Sequence, residues 1–221
     1  MPAGVITALR AQAHDPQRVN VFVDGEFTIG VSLSTITREK LYVGKVLSED
    51  DHARLEQAEN TDKAVHVAIR ALESRPRSSA EIHERLRLKG FAPLVIDVAL
   101  ARLRELGLVD DAAFSRFWVE NRQAYRPRGA NALRDELRRK GIDRSLVDAI
   151  LDDTTLTGDE HEQAMTLARA AFRKYAGAPD RATFMRRMGG YLQRRGFDFE
   201  TIRPIVDQLW NEGHAASESD E

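Results

Sequence analysis

The chain has 221 residues, of which 42% are hydrophobic and 31% are charged, with a formal net charge of −2. A chain of this length can bury one substantial core or divide the burial among several small units. It contains no cysteine, which excludes disulfides, thiolate metal sites and cysteine nucleophiles. No apolar run approaches the ~20 residues that span a bilayer, and the N-terminus lacks the apolar core of a signal peptide. We therefore expect a cytoplasmic protein.

The first predicted element is a β-hairpin over residues 19–31. Apolar residues alternate on both sides of Asp24-Gly25, and this pair supplies the positive φ angles that a tight turn requires. A two-residue loop would set Phe22 opposite Phe27. A three-residue loop would instead place all six alternating residues on one face, and the sequence leaves both registers open.

Downstream of the hairpin, one phrase occurs three times. Each copy places apolar residues four apart, followed by a basic residue, a glycine and a bulky apolar residue, and the three glycines are Gly90, Gly141 and Gly196. A basic-proline-basic signal also repeats, at residues 75–77 and 126–128. Self-similarity at a fixed spacing indicates an array of similar helical units.

Each unit is predicted to contain three helices of roughly twelve residues joined by short turns, so the fold class is mainly α. In the first unit, Ser78 is the expected N-cap of the second helix, Gly90 its left-handed C-terminal cap, and Pro93 opens the third helix. In the third unit, Gly189-Gly190 falls in the second helix and weakens it by about 1 kcal/mol for each exposed glycine.

The helix starts set the boundaries of the units. Residues 32–60 are predicted to form two short helices that break near Gly44, and a new helix is expected to begin at Thr61-Asp62. We assign the N-terminal hairpin and short helices to residues 1–60, three-helix repeats to residues 61–108, 109–153 and 154–212, and a disordered acidic tail to residues 213–221.

The repeats are basic although the whole chain is slightly acidic. Residues 61–151 hold 18 basic and 13 acidic side chains and residues 163–210 hold 9 and 4, whereas residues 152–162 hold five acids and no Lys or Arg. This asymmetry indicates an anionic partner for the repeats.

The candidate contact residues form a basic row on and beside the second helix of each repeat. In the second repeat, Arg134 and Arg138 share one flank of the helix and Arg139 lies further round. Arginine suits phosphates and carboxylates alike, although cations near helix C-termini also complement the helix dipole on ordinary solvated faces. We favour binding for the row as a whole. The predicted contact residues are Arg75, Arg77, Arg87, Lys89, Arg126, Arg128, Arg134, Arg138, Arg139, Lys140, Arg194 and Arg195.

Catalytic signals are missing from the sequence. There is no phosphate-binding glycine loop, no dinucleotide fingerprint and no nucleophile elbow, and the six histidines lack metal-ligand spacing. Most large aromatics, including Trp118, fall at core spacing, and Tyr125 is the one aromatic that we consider for a contact surface. The sequence therefore predicts no catalytic residue, no cofactor, no metal and no enzymatic activity.

Several phrases together resemble the RecX family of regulatory proteins. Residues 71–78 read Ala-Leu-Glu-Ser-Arg-Pro-Arg-Ser, and residues 108–114 read Leu-Val-Asp-Asp-Ala-Ala-Phe. The Lys-Gly-Phe and Lys-Gly-Ile phrases at Gly90 and Gly141 complete the match. The resemblance covers residues 64–151 well, residues 163–210 loosely, and residues 1–60 mainly through the hairpin.

This resemblance implies tandem three-helix repeats in an elongated, curved array. It also implies a non-enzymatic regulator of the recombinase RecA that lies in the groove of the RecA–DNA filament. There the regulator would suppress ATP hydrolysis and strand exchange, and so limit recombinational DNA repair and the SOS response. The partners would be the RecA filament and, weakly or through the filament, DNA; the chain would be a monomer without a membrane contact.

Two other functions are compatible with the same residues. Three-helix units with a basic second or third helix also describe helix-turn-helix domains, so a DNA-binding transcriptional regulator is the main alternative. A helical-repeat scaffold for another protein is the third, and in that case the arginines would only solubilise the surface.

Overall fold

The computed structural model describes residues 3–13 and 15–218, with side chains as far as Gly213. The chain divides between Val109 and Asp110 into two compact units, here called unit 1 and unit 2. Unit 1 combines an N-terminal sheet with the first repeat, and unit 2 contains the second and third repeats.

Unit 1 begins with a four-stranded antiparallel sheet. Its strands lie in the order β3-β2-β1-β4 and comprise β1 (Gly4–Gln12), β2 (Asp15–Val23), β3 (Glu26–Ser32) and β4 (Val46–Leu47). The predicted hairpin is confirmed as β2 and β3, but β1 and β4 were missed. Strand β1 carries apolar residues on both faces, and β4 is two residues long, so neither shows the alternation that identifies a strand.

The hairpin has the register of the two-residue loop. Phe22 pairs with Phe27, which makes the loop the two residues Asp24 and Gly25. A shift between this pair and the next leaves Thr28 as a bulge, so that Val21 pairs with Ile29. Because the bulge resets the alternation, Ile29 and Val31 face the same core as Val21, whereas Phe27, which precedes the bulge, is 60% exposed.

Helix α1 (Leu33–Arg38) is short, whereas α2 (Glu49–Leu72) is one continuous helix of 24 residues. The expected new start at Thr61-Asp62 is therefore wrong. Ser48 caps α2 in a reciprocal capping box, and no helix-breaking residue occurs before its end. Thr61 and Asp62 are buried within α2 and hydrogen-bond to their surroundings instead of capping a new helix.

The first repeat consists of the C-terminal half of α2 with α3 (Ser79–Leu88) and α4 (Pro93–Glu105). The hydroxyl of Ser78 accepts a hydrogen bond from the backbone N–H of Glu81, as predicted for an N-cap. Pro93 occupies the first turn of α4. Apolar residues from the three helices form one core, in which Ile82, Leu86 and Leu103 are fully buried.

Unit 2 contains two further three-helix sets. The helices are α5 (Asp111–Tyr125), α6 (Ala130–Arg139), α7 (Arg144–Leu151), the single turn α8 (Thr154–Thr157), α9 (Glu160–Tyr175), α10 (Arg181–Gln193) and α11 (Phe199–Glu218). Helix α10 continues through Gly189-Gly190, and the Gly189 position lies against Ile202 of α11. The three predicted capping glycines Gly90, Gly141 and Gly196 have φ angles of 82°, 75° and 91°.

The C-terminal end differs from the expectation. Helix α11 extends to Glu218, so residues 213–218 do not form the disordered tail that we predicted, while residues 219–221 lie outside the described part of the chain. Extending a helix that is already nucleated costs little, because each added residue gains a backbone hydrogen bond. Among the described residues, no helix has both the length and the apolarity to cross a membrane.

Candidate binding surface

The N-terminus of α6 is capped by main-chain and side-chain groups of the third repeat. The N–H of Gly129 donates to the carbonyl of Arg195 at 2.9 Å, and the N–H of Asn131 donates to the carbonyl of Gly196 at 3.2 Å. Between them, the N–H of Ala130 donates to Oε1 of Glu160 at 3.0 Å. These donors have no partner inside their own helix, so the third repeat satisfies groups that the second repeat leaves open.

The same contact explains why Gly129 stands where the first repeat has Ser78. A Cβ atom on Gly129 would lie 2.5 Å from the carbonyl carbon and oxygen of Gly196 and from the backbone nitrogen of Phe197. A Cβ on Gly196 would lie 2.3 Å from the backbone nitrogen of Ala132. No side chain fits at either position, and the two repeats therefore meet backbone to backbone.

This contact brings three of the predicted residues to one place. Arg128, Arg139 and Arg194 line a shared open cleft of about 360 Å³, which we call the basic cleft. Two carboxylates, Asp135 and Glu136, line it as well. The sequence places Arg128 and Arg139 in the basic row of the second repeat and Arg194 in that of the third, and the structure joins them across the contact between repeats.

The arginines of the basic cleft form few hydrogen bonds and ion pairs within the chain. Arg128 Nε lies 3.9 Å from Oε1 of Glu136, and Arg139 Nε donates to the backbone carbonyl of Asp135 at 3.1 Å. Among the residues whose side chains are described, Arg194 forms no ion pair. Most of the guanidinium donors in the cleft are therefore available to an anionic group.

Glu136 organises a cluster that the sequence analysis did not identify. Its Oε2 accepts hydrogen bonds from Nε1 of Trp118 at 2.8 Å and from Nε of Arg122 at 2.6 Å. The Arg122 guanidinium and the Lys140 ammonium lie 4.6 Å and 4.8 Å from the Trp118 ring centroid. Trp118 is thus partly buried beside the core and bound to two cations. The spacing of four residues between Trp118 and Arg122 is the one signal in the sequence for this cluster.

The other predicted residues of unit 2 do not line the basic cleft and have different environments. Arg134 contacts Asp148 at 3.4 Å and Asn131 at 3.0 Å, and the Arg195 guanidinium lies 3.8 Å from the Tyr191 ring centroid. Within the described side chains, Arg126 and Arg138 are exposed and form no ion pair. Tyr125, at the end of α5, is also exposed.

The four predicted residues of unit 1 are largely engaged within the chain. Arg75 forms a two-pronged ion pair with Glu81, with both N–O distances at 2.9 Å, and this hydrogen bonding raises the pKa of its guanidinium. Arg77 donates to the Ala71 carbonyl at 2.8 Å and so caps the end of α2; burial lowers its pKa, and neighbouring Arg75 lowers it further. Arg87 pairs with Glu84, and Lys89 is exposed.

Four models of RecX domains match consecutive parts of the chain. They are the RecX N-terminal domain at residues 4–48 and the first, second and third three-helix domains at residues 64–103, 110–151 and 159–206. A regulatory protein RecX of Mycobacterium avium is 36% identical over 145 residues, which cover 66% of this chain and 83% of the relative. The chain belongs to the RecX family.

Further relatives and solved structures agree with this assignment. The RecX of Chlorobium phaeobacteroides is 34% identical over 67% of this chain and 94% of the relative, and that of Bacillus licheniformis is 28% identical over 92% and 76%. A crystal structure of regulatory protein RecX matches with a TM-score of 0.80 and 26% identity over 92% of this chain and 99% of that chain. RecX from Lactobacillus salivarius, with a TM-score of 0.61 and 23% identity over 69% and 97%, shows the same fold. The RecX resemblance and the mainly α class with three-helix repeats are confirmed.

Proposed function

We propose that this RecX-family protein is a non-enzymatic negative regulator of the RecA recombinase. It binds in the groove of the RecA–DNA filament and inhibits ATP hydrolysis and strand exchange, which limits recombinational repair and the SOS response. Membership of a family of regulatory proteins supports regulation as the general role. Under this proposal the protein acts in the cytoplasm as a monomer, needs no cofactor, and contacts DNA weakly or through the filament.

The observation that carries the proposal is the basic cleft of unit 2. Arg128, Arg139 and Arg194 come from two repeats and line one surface, and the Gly129–Gly196 contact fixes that surface. A filament of protein on DNA offers both phosphates and carboxylates, and arginine binds either with its planar fork of donors. The other predicted residues that are exposed, such as Arg138, are proposed as further contacts with the filament.

A filament ATPase titration tests this proposal. The full chain is added to RecA on single-stranded DNA with ATP. Inhibition of ATP hydrolysis is expected at protein concentrations well below the concentration of DNA nucleotides. The double variant Arg139→Glu/Arg194→Glu reverses two charges of the cleft, and we expect the half-inhibitory concentration to rise roughly ten-fold or more. The double variant Arg116→Glu/Arg173→Glu reverses two charges at exposed positions of α5 and α9 outside the cleft and is the matched control.

Two results would contradict the proposal. One is an absence of ATPase inhibition by the wild-type chain at any tested concentration. The other is an equal loss of inhibition in Arg116→Glu/Arg173→Glu and in Arg139→Glu/Arg194→Glu, since that would assign the effect to net charge rather than to the cleft.

The helix-turn-helix alternative makes a different demand on α6. A recognition helix presents its N-terminal residues to base edges, but the N-terminal residues of α6 donate to groups of the third repeat. Binding of naked duplex DNA, measured beside the ATPase titration, distinguishes the two functions. Tight, sequence-selective and steeply salt-dependent binding would favour the transcriptional regulator.

A further inference from the structure

A second cationic site lies in unit 1 and involves none of the residues predicted from the repeats. It is a groove of about 350 Å³ between α2 and α4, closed at one side by the end of α1, and we call it the α2–α4 groove. Its walls include Arg38 of α1, Arg54 and Ala58 of α2, and Val98 and Arg102 of α4. Three guanidinium groups from three helices therefore line one small concave site.

Each of these arginines is oriented by an acidic neighbour, and each keeps free donors. Arg102 Nη1 donates to Asp62 at 2.6 Å, Arg38 Nε donates to Glu39 at 3.2 Å, and Arg54 is paired with Asp51. The three side chains are nevertheless 37%, 47% and 62% exposed. Because a guanidinium has five N–H donors, one acidic partner leaves several donors for a ligand.

Asp62 at the base of the groove is already satisfied. Its two oxygens accept hydrogen bonds from Ser32, Thr35 and Arg102. Burial raises the pKa of this carboxyl, but the hydrogen bonds from Ser32, Arg102 and Thr35 outweigh burial and hold the pKa below its ordinary value. Asp62 therefore serves as the fixed counter-ion of Arg102, and the more exposed Arg38 and Arg54, although paired with Glu39 and Asp51, keep the N–H donors that face a ligand.

One wall of the groove is apolar. Val98 is 42% exposed, and Leu94, one turn earlier on the same face of α4, is 61% exposed. Ala58 of α2 contributes to the same lining. Among the described residues that line the groove none is aromatic, so it offers no ring on which a nucleobase could stack.

We propose that the α2–α4 groove binds a peptide segment of a partner protein in which a carboxylate stands beside an apolar side chain. The carboxylate pairs with Arg38 and Arg54, and the apolar side chain packs on Val98 and Leu94. A nucleic-acid backbone suits the site less well, because Glu39, Asp51 and Asp62 each pair with one arginine, and the groove therefore lacks the run of unpaired cations that a row of phosphates requires. The volume of the groove is near the lower end of the range for ligand sites, about 300 Å³, which fits two or three side chains and not an extended strand.

The test measures fluorescence anisotropy of labelled decapeptides titrated with the full-length chain. The first peptide combines aspartates with leucine and phenylalanine, the second replaces its apolar residues by serine, and the third replaces its aspartates by asparagine. We expect the first to bind most tightly. A labelled oligothymidine of similar length is the nucleic-acid probe.

Two variants and one control locate the binding. Arg54 lies on the exposed face of α2, and Arg54→Glu is expected to raise the dissociation constant of the first peptide roughly ten-fold or more. Val98→Ser is expected to raise the dissociation constant of the first peptide roughly three-fold and to leave that of the serine-containing peptide unchanged. Arg70→Glu changes the same charge on an exposed position of the same helix outside the groove, and binding within two-fold of wild type is expected.

Each other result overturns the proposal. It fails if the wild-type chain does not bind the first peptide, if Arg70→Glu weakens binding as much as Arg54→Glu, or if the serine-containing peptide or the oligothymidine binds as tightly as the first peptide. None of these measurements contains RecA, so the outcome is independent of the filament assay.

Discussion

The substitution Gly129→Ala tests whether the second and third repeats depend on each other. Gly129 has φ −69° and ψ 162°, an extended conformation that alanine adopts without strain, so the change adds only a methyl group. That methyl group would lie 2.5 Å from three backbone atoms of the third repeat, and backbone cannot rotate away as a flexible side chain can. Any loss of stability therefore reports on the contact between the repeats.

The size of the effect follows from what the methyl group displaces. Separating the two backbones stretches the hydrogen bonds from Gly129 to Arg195 and from Asn131 to Gly196, each worth about 1 kcal/mol. Overpacking a tight contact costs about 1–3 kcal/mol, in the same range. We expect unit 2 to lose about 2–3 kcal/mol of unfolding free energy, which corresponds to a decrease in Tm of roughly 10 °C for a unit of this size.

The chain provides its own probe for this measurement. Its two tryptophans, Trp118 and Trp210, both lie in unit 2, one in each repeat, so urea unfolding followed by tryptophan fluorescence reports on that unit. Gly177→Ala is the control, because a Cβ there meets nothing within 4 Å. The reasoning is refuted if Gly129→Ala changes the unfolding free energy by no more than Gly177→Ala does.

Two further predictions concern single carboxylates. Glu160→Gln removes the negative charge beside the N–H of Ala130 at the start of α6, and should cost unit 2 about 0.5–1 kcal/mol in the same urea assay; Glu162→Gln, exposed in the first turn of α9, should cost less than half as much. Asp62→Asn leaves Arg102 without its counter-ion and should destabilise unit 1 by about 2 kcal/mol at neutral pH, measured by urea unfolding followed by circular dichroism. Because the pKa of Asp62 is lowered in the folded state, its contribution is complete above the unfolded value of about 3.9 and is lost as pH falls through the folded pKa. The difference between wild type and Asp62→Asn should therefore shrink below about pH 4, and a difference that stays constant down to pH 2 would contradict this assignment.

Features that depend on a few adjacent residues could be predicted from the sequence. The capping glycines, the Ser78 cap and the Asp-Gly turn are local, since each is determined by the conformational preference of one or two residues. The continuity of α2 could not be predicted in this way. Asp62 is a residue type that often begins a helix, which favoured a new start there. In the structure its carboxylate accepts hydrogen bonds from Ser32 and Arg102, which lie 30 and 40 positions away in the sequence.

The candidate surface likewise depends on contacts that could not be predicted from neighbouring residues. The sequence assigned the arginines to a basic row on and beside the second helix of each repeat but could not show which guanidinium groups are already paired. Arg77, for example, caps α2, and Arg75 reaches Glu81 six residues further on, outside the usual helical spacing. The convergence of Arg139 and Arg194 required the contact at Gly129, for which the one signal is a glycine where the first repeat has serine.

The capping of α6 by the third repeat also affects how the chain folds during its synthesis on the ribosome. Gly196 follows Gly129 by 67 residues, so at about 5–20 residues per second the second repeat waits roughly 3–13 s before its partner groups are synthesised. During that interval the N–H groups of Gly129 and Asn131 have only solvent as a partner. Completion of the second repeat is therefore tied to the appearance of the α10–α11 loop, and a nascent chain released before that loop would contain an unfinished helix.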